Sequence, residues 1–237
     1  MTLKDNVKAF DEDVAENDGY LYTTRPSYSS RVANERLQKA VLDNISTSDL
    51  SVLDIGCGDG TSTNDLRERR SSITISGLDP AERAISRARE SYPGISFFVA
   101  DVLDANSLPK NHYDLVIFRG VLHHLANPEL AIANAAQISS RMLIIEPNGD
   151  NPVLKLIEKY SEYHVKHEEQ SFAPALLRDW CNSAQLRVVK HSFAGFVPFF
   201  FPTPLAKILH FLQPVLERVP LLRQYFSAVV VLVAERR

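Results

Sequence analysis

The sequence predicts an α/β protein, with one mostly parallel sheet and helices on both of its faces. Three observations carry this reading. Between Leu50 and Glu146, short apolar or β-branched runs alternate with helix-like stretches, the rhythm of consecutive β-α-β units. A glycine-rich turn, "VLDIGCGDGT" from Val52 to Thr61, follows the first of these runs, where open α/β sheets receive ligands. The composition, 45% hydrophobic and 23% charged over 237 residues, is that of a globular chain able to bury one sizeable core.

The elements follow in order. The stretch before Ser48 reads as mainly helical, on apolar positions Val32, Leu37, Ala40 and Val41 at near-helical spacing. Five runs then read as strands buried on both faces: "LSVLDI", "SITISGLD", "ISFFVAD", "YDLVIF" and "RMLIIE". Between them "STNDLRERR", "AERAISRARESY" and "PELAIANAAQIS" read as helices, with Pro80 just before one and Pro128 opening another. Two further strands come late, "LRVVKHSF" and "SAVVVLVAER". A hairpin needs only a few residues at its turn, so the long aromatic, proline-rich stretch between them is an insertion, helical through "LAKILHFLQPVLERV". The expected organisation is a single domain: a helical lid over 1–48, a core over 49–193, the insertion over 194–225 and a last strand over 226–237.

Charge and cysteines narrow the class. A net charge of −3 argues against a nucleic-acid partner, which selects for a basic excess. Cys57 and Cys181 read as free thiols in a reducing compartment. The start, "MTLKDNVKAFDEDVAEND", is charged throughout and lacks the apolar core of a secretory signal. No uninterrupted apolar run reaches the roughly 18 residues of a membrane span. The expectation is a cytoplasmic protein.

The glycine turn is the first chemical clue. Gly56, Gly58 and Gly60 allow positive φ and close approach of a ligand, and the helix after them presents unpaired N–H groups. Asp79, at the end of the next strand, stands where an acid receives ribose hydroxyls. A dinucleotide cradle has the spacing G-x-G-x-x-G; here Thr61 holds the third position and Gly60 comes one residue early. Asp54, just before the turn, would repel a pyrophosphate and attract an amine or sulfonium. S-adenosyl-L-methionine carries both cations and no phosphate.

At these residues the sequence resembles the class I S-adenosylmethionine-dependent methyltransferases. "VLDIGCGDGT" is similar to their first motif, "SGLDPAERAISRAR" to the second, "FFVADVLD" to the third, "YDLVIFRGVLHHLANP" to the fourth and "RMLIIEPNG" to the fifth strand, all in register from Ser51 to Gly149. The resemblance implies a Rossmann-like three-layer sandwich whose seven-stranded sheet has the order 3-2-1-4-5-7-6 with an antiparallel last strand. It implies S-adenosyl-L-methionine as cofactor and S-adenosyl-L-homocysteine as product. It places Asp54, Gly56, Cys57 and Gly58 in the cradle, Asp79 and Pro80 at the ribose, and Asp101 and Val102 around the adenine. Arg119 and Gly120, at the end of the fourth strand, border the methionine part of the cofactor.

Three further regions bear on the acceptor. His123 and His124 follow the fourth strand, and an imidazole there suits a general base; packing and helix-start hydrogen bonding are the alternative roles. His164 and His167 in "EKYSEYHVKHEEQSF" would share a helix face, either as a polar wall of the acceptor pocket or as a solvated helix end, and no complete metal-ligand set can be assembled from them. Tyr20, Tyr22, Arg25, Tyr28 and Arg31 cluster in the N-terminal segment, where Tyr22 and Arg31 are candidates to touch the cofactor's carboxylate as a lid closes, against ordinary helix packing. In the insertion, Phe196, Phe199, Phe200 and Phe201 suit the wall of a lipophilic pocket; residues 194–225 also suit a peripheral membrane contact, a homodimer contact or a plain helical cap. The expected activity is methyl transfer to a small-molecule acceptor, foremost onto a lipophilic, aromatic or glycan-precursor hydroxyl. N- or C-methylation, a non-catalytic cofactor-binding module and a nucleotide-dependent oxidoreductase are the alternatives.

Overall fold

Apolar residues on both faces of each central strand put the sheet in the middle of the molecule. The computed structural model describes residues 27–160, 170–199 and 201–237. In chain order its elements are α1 (Tyr28–Leu42), β1 (Ser51–Ile55), α2 (Thr61–Arg69), β2 (Thr74–Asp79), α3 (Glu82–Ser91), β3 (Ser96–Val99) and β4 (Leu115–Arg119). A 3-10 turn (Leu122–His124), α4 (Pro128–Ile138), β5 (Arg141–Pro147), α5 (Pro152–Tyr160) and α6 (Pro174–Ser183) follow. The chain ends with β6 (Leu186–Ala194), α7 (Thr203–Leu216), α8 (Pro220–Phe226) and β7 (Val229–Arg236).

The seven strands lie in the order β3-β2-β1-β4-β5-β7-β6, with β7 antiparallel to both neighbours and every other pair parallel. This is the order the resemblance implied. Alternation along the strands sorts the core into two halves. Val116 and Phe118 of β4 face α4 and α6, packing with Ala131, Ile132, Leu177 and Cys181. Leu115 and Ile117 face the other way, into the side that holds Val41 of α1, Leu66 of α2 and Ile85 of α3.

Helix starts follow their local chemistry. Asn127 accepts a hydrogen bond from the Leu130 N–H and Pro128 takes the first turn of α4. Ser27 accepts from the Ser30 N–H at the head of α1.

Because β7 is antiparallel to both β5 and β6, those two strands run the same way. The chain therefore leaves β6, at Ala194, on the same edge of the sheet where β1, β2, β4 and β5 end. The insertion thus meets α1 over that edge. Arg36 and Glu217 make a two-pronged ion pair at 2.8 and 2.9 Å, the Tyr28 hydroxyl lies 2.8 Å from His210 Nδ1, and the Ser29 and Ser30 hydroxyls donate to the Phe199 carbonyl. Val32, Val197 and Ala206 form a small apolar core between them, with Phe201 against it.

Candidate active site

The glycine turn is folded by its neighbours in the sheet. The Gly56 and Cys57 N–H groups both donate to the Leu78 carbonyl, and the Gly58 N–H donates to Asp79 Oδ2 at 3.0 Å. Gly56 and Gly60 have φ of 71° and 77°, in the left-handed region that favours glycine. Their missing side chains serve packing as well. A Cβ on Gly56 would stand 2.4 Å from Val121, and one on Gly60 2.7 Å from the Phe97 ring. The sequence reading assigned the room to a ligand; at these two positions the protein itself fills it.

Asp54 departs from the argument made for it. It is 2% exposed, and its Oδ2 accepts from the Thr63 hydroxyl at 2.7 Å and from Arg119 Nη2 at 3.1 Å. The acid is thus compensated by a guanidinium, and the turn offers a buried acid paired with a half-buried guanidinium where the sequence suggested a lone anion. Arg119 also donates to Gln38 Oε1 at 2.7 Å, and Gln38 Nε2 donates to the Ser62 carbonyl. Gln38 is buried, so α1 is joined to the cradle by a hydrogen-bonded chain from β1 through β4.

The remaining cradle residues gather at the same edge. Asp79 is buried, with Oδ1 accepting from the Ala81 N–H across Pro80. Asp101 turns the chain after β3 through its bond from the Leu103 N–H, and the buried Val102 is fixed by Asn134, which donates to its carbonyl. Cys57 packs its sulfur beside Gly77. Burial, and then the neighbouring Asp79 and Asp54 charges, push the Cys57 thiol well above its ordinary value, so it stays protonated.

The turn after β4 is organised by a residue that sequence reasoning passed over. Glu146, at the end of β5, is fully buried. Its Oε1 accepts from the Val121 and Leu122 N–H groups, each at 2.8 Å, and its Oε2 lies 2.8 Å from His123 Nδ1 and 3.4 Å from the His123 N–H. An ionised carboxylate only accepts, so this geometry puts the proton of a neutral His123 on Nδ1. The His123 and His124 rings lie 3.8 Å apart between centroids, tilted by 42°. Gly120, φ 68°, makes the bend that brings His123 back over the strand end.

Two kinds of candidate fall elsewhere. Arg31 is exposed and lies over the Tyr28 ring at 5.6 Å, so it is Gln38 of α1 that meets the cradle. Tyr22, His164 and His167 lie outside the described residues. Among the described residues no cluster of metal-ligating side chains occurs. Of the aromatic residues in the insertion, Phe196 is buried and its N–H donates to Gln213, while Phe201 packs in the core between α1 and α7. Gln38 has no local signal, since it is one polar residue of an amphipathic helix. Glu146 has one: an acid closing an apolar strand at the ligand edge of the sheet.

A family model described as a methyltransferase domain matches residues 46–193, more than half of the chain. The chain belongs to the class I S-adenosylmethionine-dependent methyltransferases. Over 105 residues it is 35% identical to a trans-aconitate 2-methyltransferase of Escherichia fergusonii, an alignment covering 44% of this chain and 39% of that protein. The methyltransferase fold also superposes on a possible histamine N-methyltransferase from Thermotoga maritima, with a TM-score of 0.72 and 17% identity, covering 98% of this chain and all of that one. The N-methyltransferase NodS from Bradyrhizobium japonicum WM9, solved with S-adenosyl-L-homocysteine, superposes with a TM-score of 0.64 at 14% identity, covering 98% of each chain. These structural likenesses concern the fold. The family match sets aside the dinucleotide alternative left open by the glycine turn.

Proposed function

We propose that this methyltransferase moves the methyl group of S-adenosyl-L-methionine to a hydroxyl oxygen of a lipophilic, aromatic or glycan-precursor small molecule, with His123 as general base. The observation that carries the reading is the 2.8 Å contact between His123 Nδ1 and the buried Glu146 carboxylate. Donation from Nδ1 leaves Nε2 with the lone pair that accepts the acceptor's proton. Glu146 itself touches no substrate in this scheme; it is a positioning residue that sets the tautomer. Of the two histidines after β4, His123 is the one held by a buried carboxylate, and it is preferred on that geometry.

The residues at the edge suit the cofactor. The buried Asp54 and the half-buried Arg119 form a pair of opposite charges, matching the ammonium and carboxylate of an amino-acid tail. Asp79, oriented by two backbone N–H groups at the end of β2, is an acid of the kind that receives a ribose diol. Asp101 and Val102 stand ready to flank the base. When bound, the cofactor supplies a methyl group on a sulfonium. The chain's part is to align the acceptor oxygen with that methyl, to exclude water beneath α1 and the insertion, and to take the proton at His123. The aromatic residues gathered where the insertion meets α1 support an apolar acceptor.

Calorimetry with S-adenosyl-L-homocysteine, and label transfer from methyl-labelled cofactor to a panel of phenols, isoprenoid alcohols, glycan precursors, amines and trans-aconitate, test the proposal together. Binding of the product with methylation of a panel hydroxyl is expected; label transferred to amines alone moves the assignment to nitrogen, and cofactor binding with no transfer to any class favours the binding-module reading. In Glu146→Gln the amide oxygen still accepts from Val121 and Leu122, while the amide N–H donates to Nδ1 and moves the proton to Nε2. Turnover should then fall by roughly 10²–10⁴-fold, the usual worth of a general base, with product affinity within about twofold. Nitrogen-15 spectra of the imidazoles should show the tautomer change directly. Full turnover in both His123→Ala and His124→Ala would remove the general-base assignment.

A further inference from the structure

The outer face of α7 is apolar and uncovered among the described residues. Leu205, Ile208, Leu212 and Val215 recur at helical spacing along one stripe, and Phe211 beside them is 83% exposed. The opposite side of the helix does the packing: Ala206 and Gln213 are buried there, and Glu217 just past its end holds Arg36. The stripe continues past the helix end through Val219 to the exposed Leu221 and Tyr225 of α8. α8 packs against α5, whose Leu156 and Tyr160 are exposed as well. A patch this broad on the surface of a soluble fold calls for a partner.

Charge says which partner. Between Ala194 and Phe226 the sequence holds three cations, Lys207, Arg218 and Arg223, and one acid, Glu217. The acid is already engaged by Arg36, whereas all three cations are exposed. Lys207 and Arg218 are spaced to border the stripe on one side of the helix, with Lys207 also reaching over the Tyr28 ring at 5.7 Å. The chain as a whole carries −3, so this basic margin is local. A second copy packed on the same face would set cation against cation. An apolar stripe with a basic border is the pattern of a helix lying in the interface of an anionic bilayer. No helix among the described residues is long and apolar enough to cross a membrane, in keeping with a contact in the surface plane.

We infer that the outer face of α7 and α8 docks this protein on an anionic lipid surface. The docked element is the one that caps the ligand edge of the sheet. A lipophilic acceptor would then pass from the bilayer to the site without crossing water, a link that rests on the function proposed above; the docking itself does not.

The test is co-sedimentation of the full chain with phosphatidylcholine vesicles, with and without phosphatidylglycerol, read without any turnover. Pelleting is expected with the anionic vesicles and should weaken as salt rises. Replacing Lys207, Arg218 and Arg223 together by Ala should lower the partition about 100-fold, and Ile208→Ala with Phe211→Ala at least about 10-fold. Both variants should bind S-adenosyl-L-homocysteine like the parent, which shows that they are folded. No pelleting with anionic vesicles would overturn the inference. So would a dimer in sedimentation equilibrium that dissociates in the Phe211→Ala variant while vesicles stay unbound, since the face would then belong to a second copy.

Discussion

At the ends of β1, β4 and β5 the buried charges meet their partners inside the fold: Asp54 meets Arg119 and Thr63, and Glu146 meets the 3-10 turn and His123. The cap between β6 and β7 is built the other way. Glu217 and Gln213 bond inward to Arg36 and the backbone and His210 meets Tyr28, while Val197 and Ala206 pack on Val32 and the stripe from Leu205 to Val215 is left outside. A cradle proposed to bind a charged cofactor needs fixed, compensated charges. A cap needs only enough inward bonds to stay on. Its outward face carries no such demand, and it is the face the inferred lipid contact would use.

The largest expected effect tests the cradle. Arg119→Met leaves Asp54 buried without its countercharge, and should cost about 3–5 kcal/mol of stability by urea denaturation together with most of the product affinity by calorimetry. Adding Asp54→Asn should recover part of that loss. Simple additivity of the two would mean that the pair is not coupled, and the contrast with the cap would lose its main support.

A smaller effect belongs to the cap. Glu217→Ala frees Arg36 and the Gly195 N–H and should cost about 1–2 kcal/mol. Amide exchange should quicken in α7 and α8 while β1 and β4 stay protected. Equal quickening in both regions would show one cooperative unit where two plans are described.

The smallest concerns the thiols. Burial raises Cys181 to about 12 and, with the help of Asp79 and Asp54, lifts Cys57 as well. Raised values mean little thiolate at pH 8, so a disulfide reagent should react with both cysteines only after unfolding. Fast reaction of Cys57 in the native state would show the cradle opening.

The order of strands and helices was legible because each is a local pattern: apolar runs for buried strands, amphipathic spacing for α1, proline and asparagine at the head of α4. The positions of the proposed cradle residues were legible for a related reason. The glycines, Asp79 and Asp101 sit at strand ends in fixed register, and their bonds run to loops the same motifs name. Sequence alone placed Arg119 at the edge. It did not reveal that Arg119 would be shared by Asp54 and by Gln38, which lies 81 residues away in the chain. From α1 the sequence offered Arg31 as a candidate for the cofactor's carboxylate, and helix rotation turned Gln38 to the cradle and Arg31 to solvent.

What the sequence by itself determined is the sheet and the family, since periodicity and short motifs depend on neighbours close in the chain. Only the tertiary structure decided who neutralises Asp54, which carboxylate meets His123 Nδ1, and which face of α7 is left outside. Those outcomes depend on groups brought together from distant segments, where distance and burial, not residue type, choose the partner.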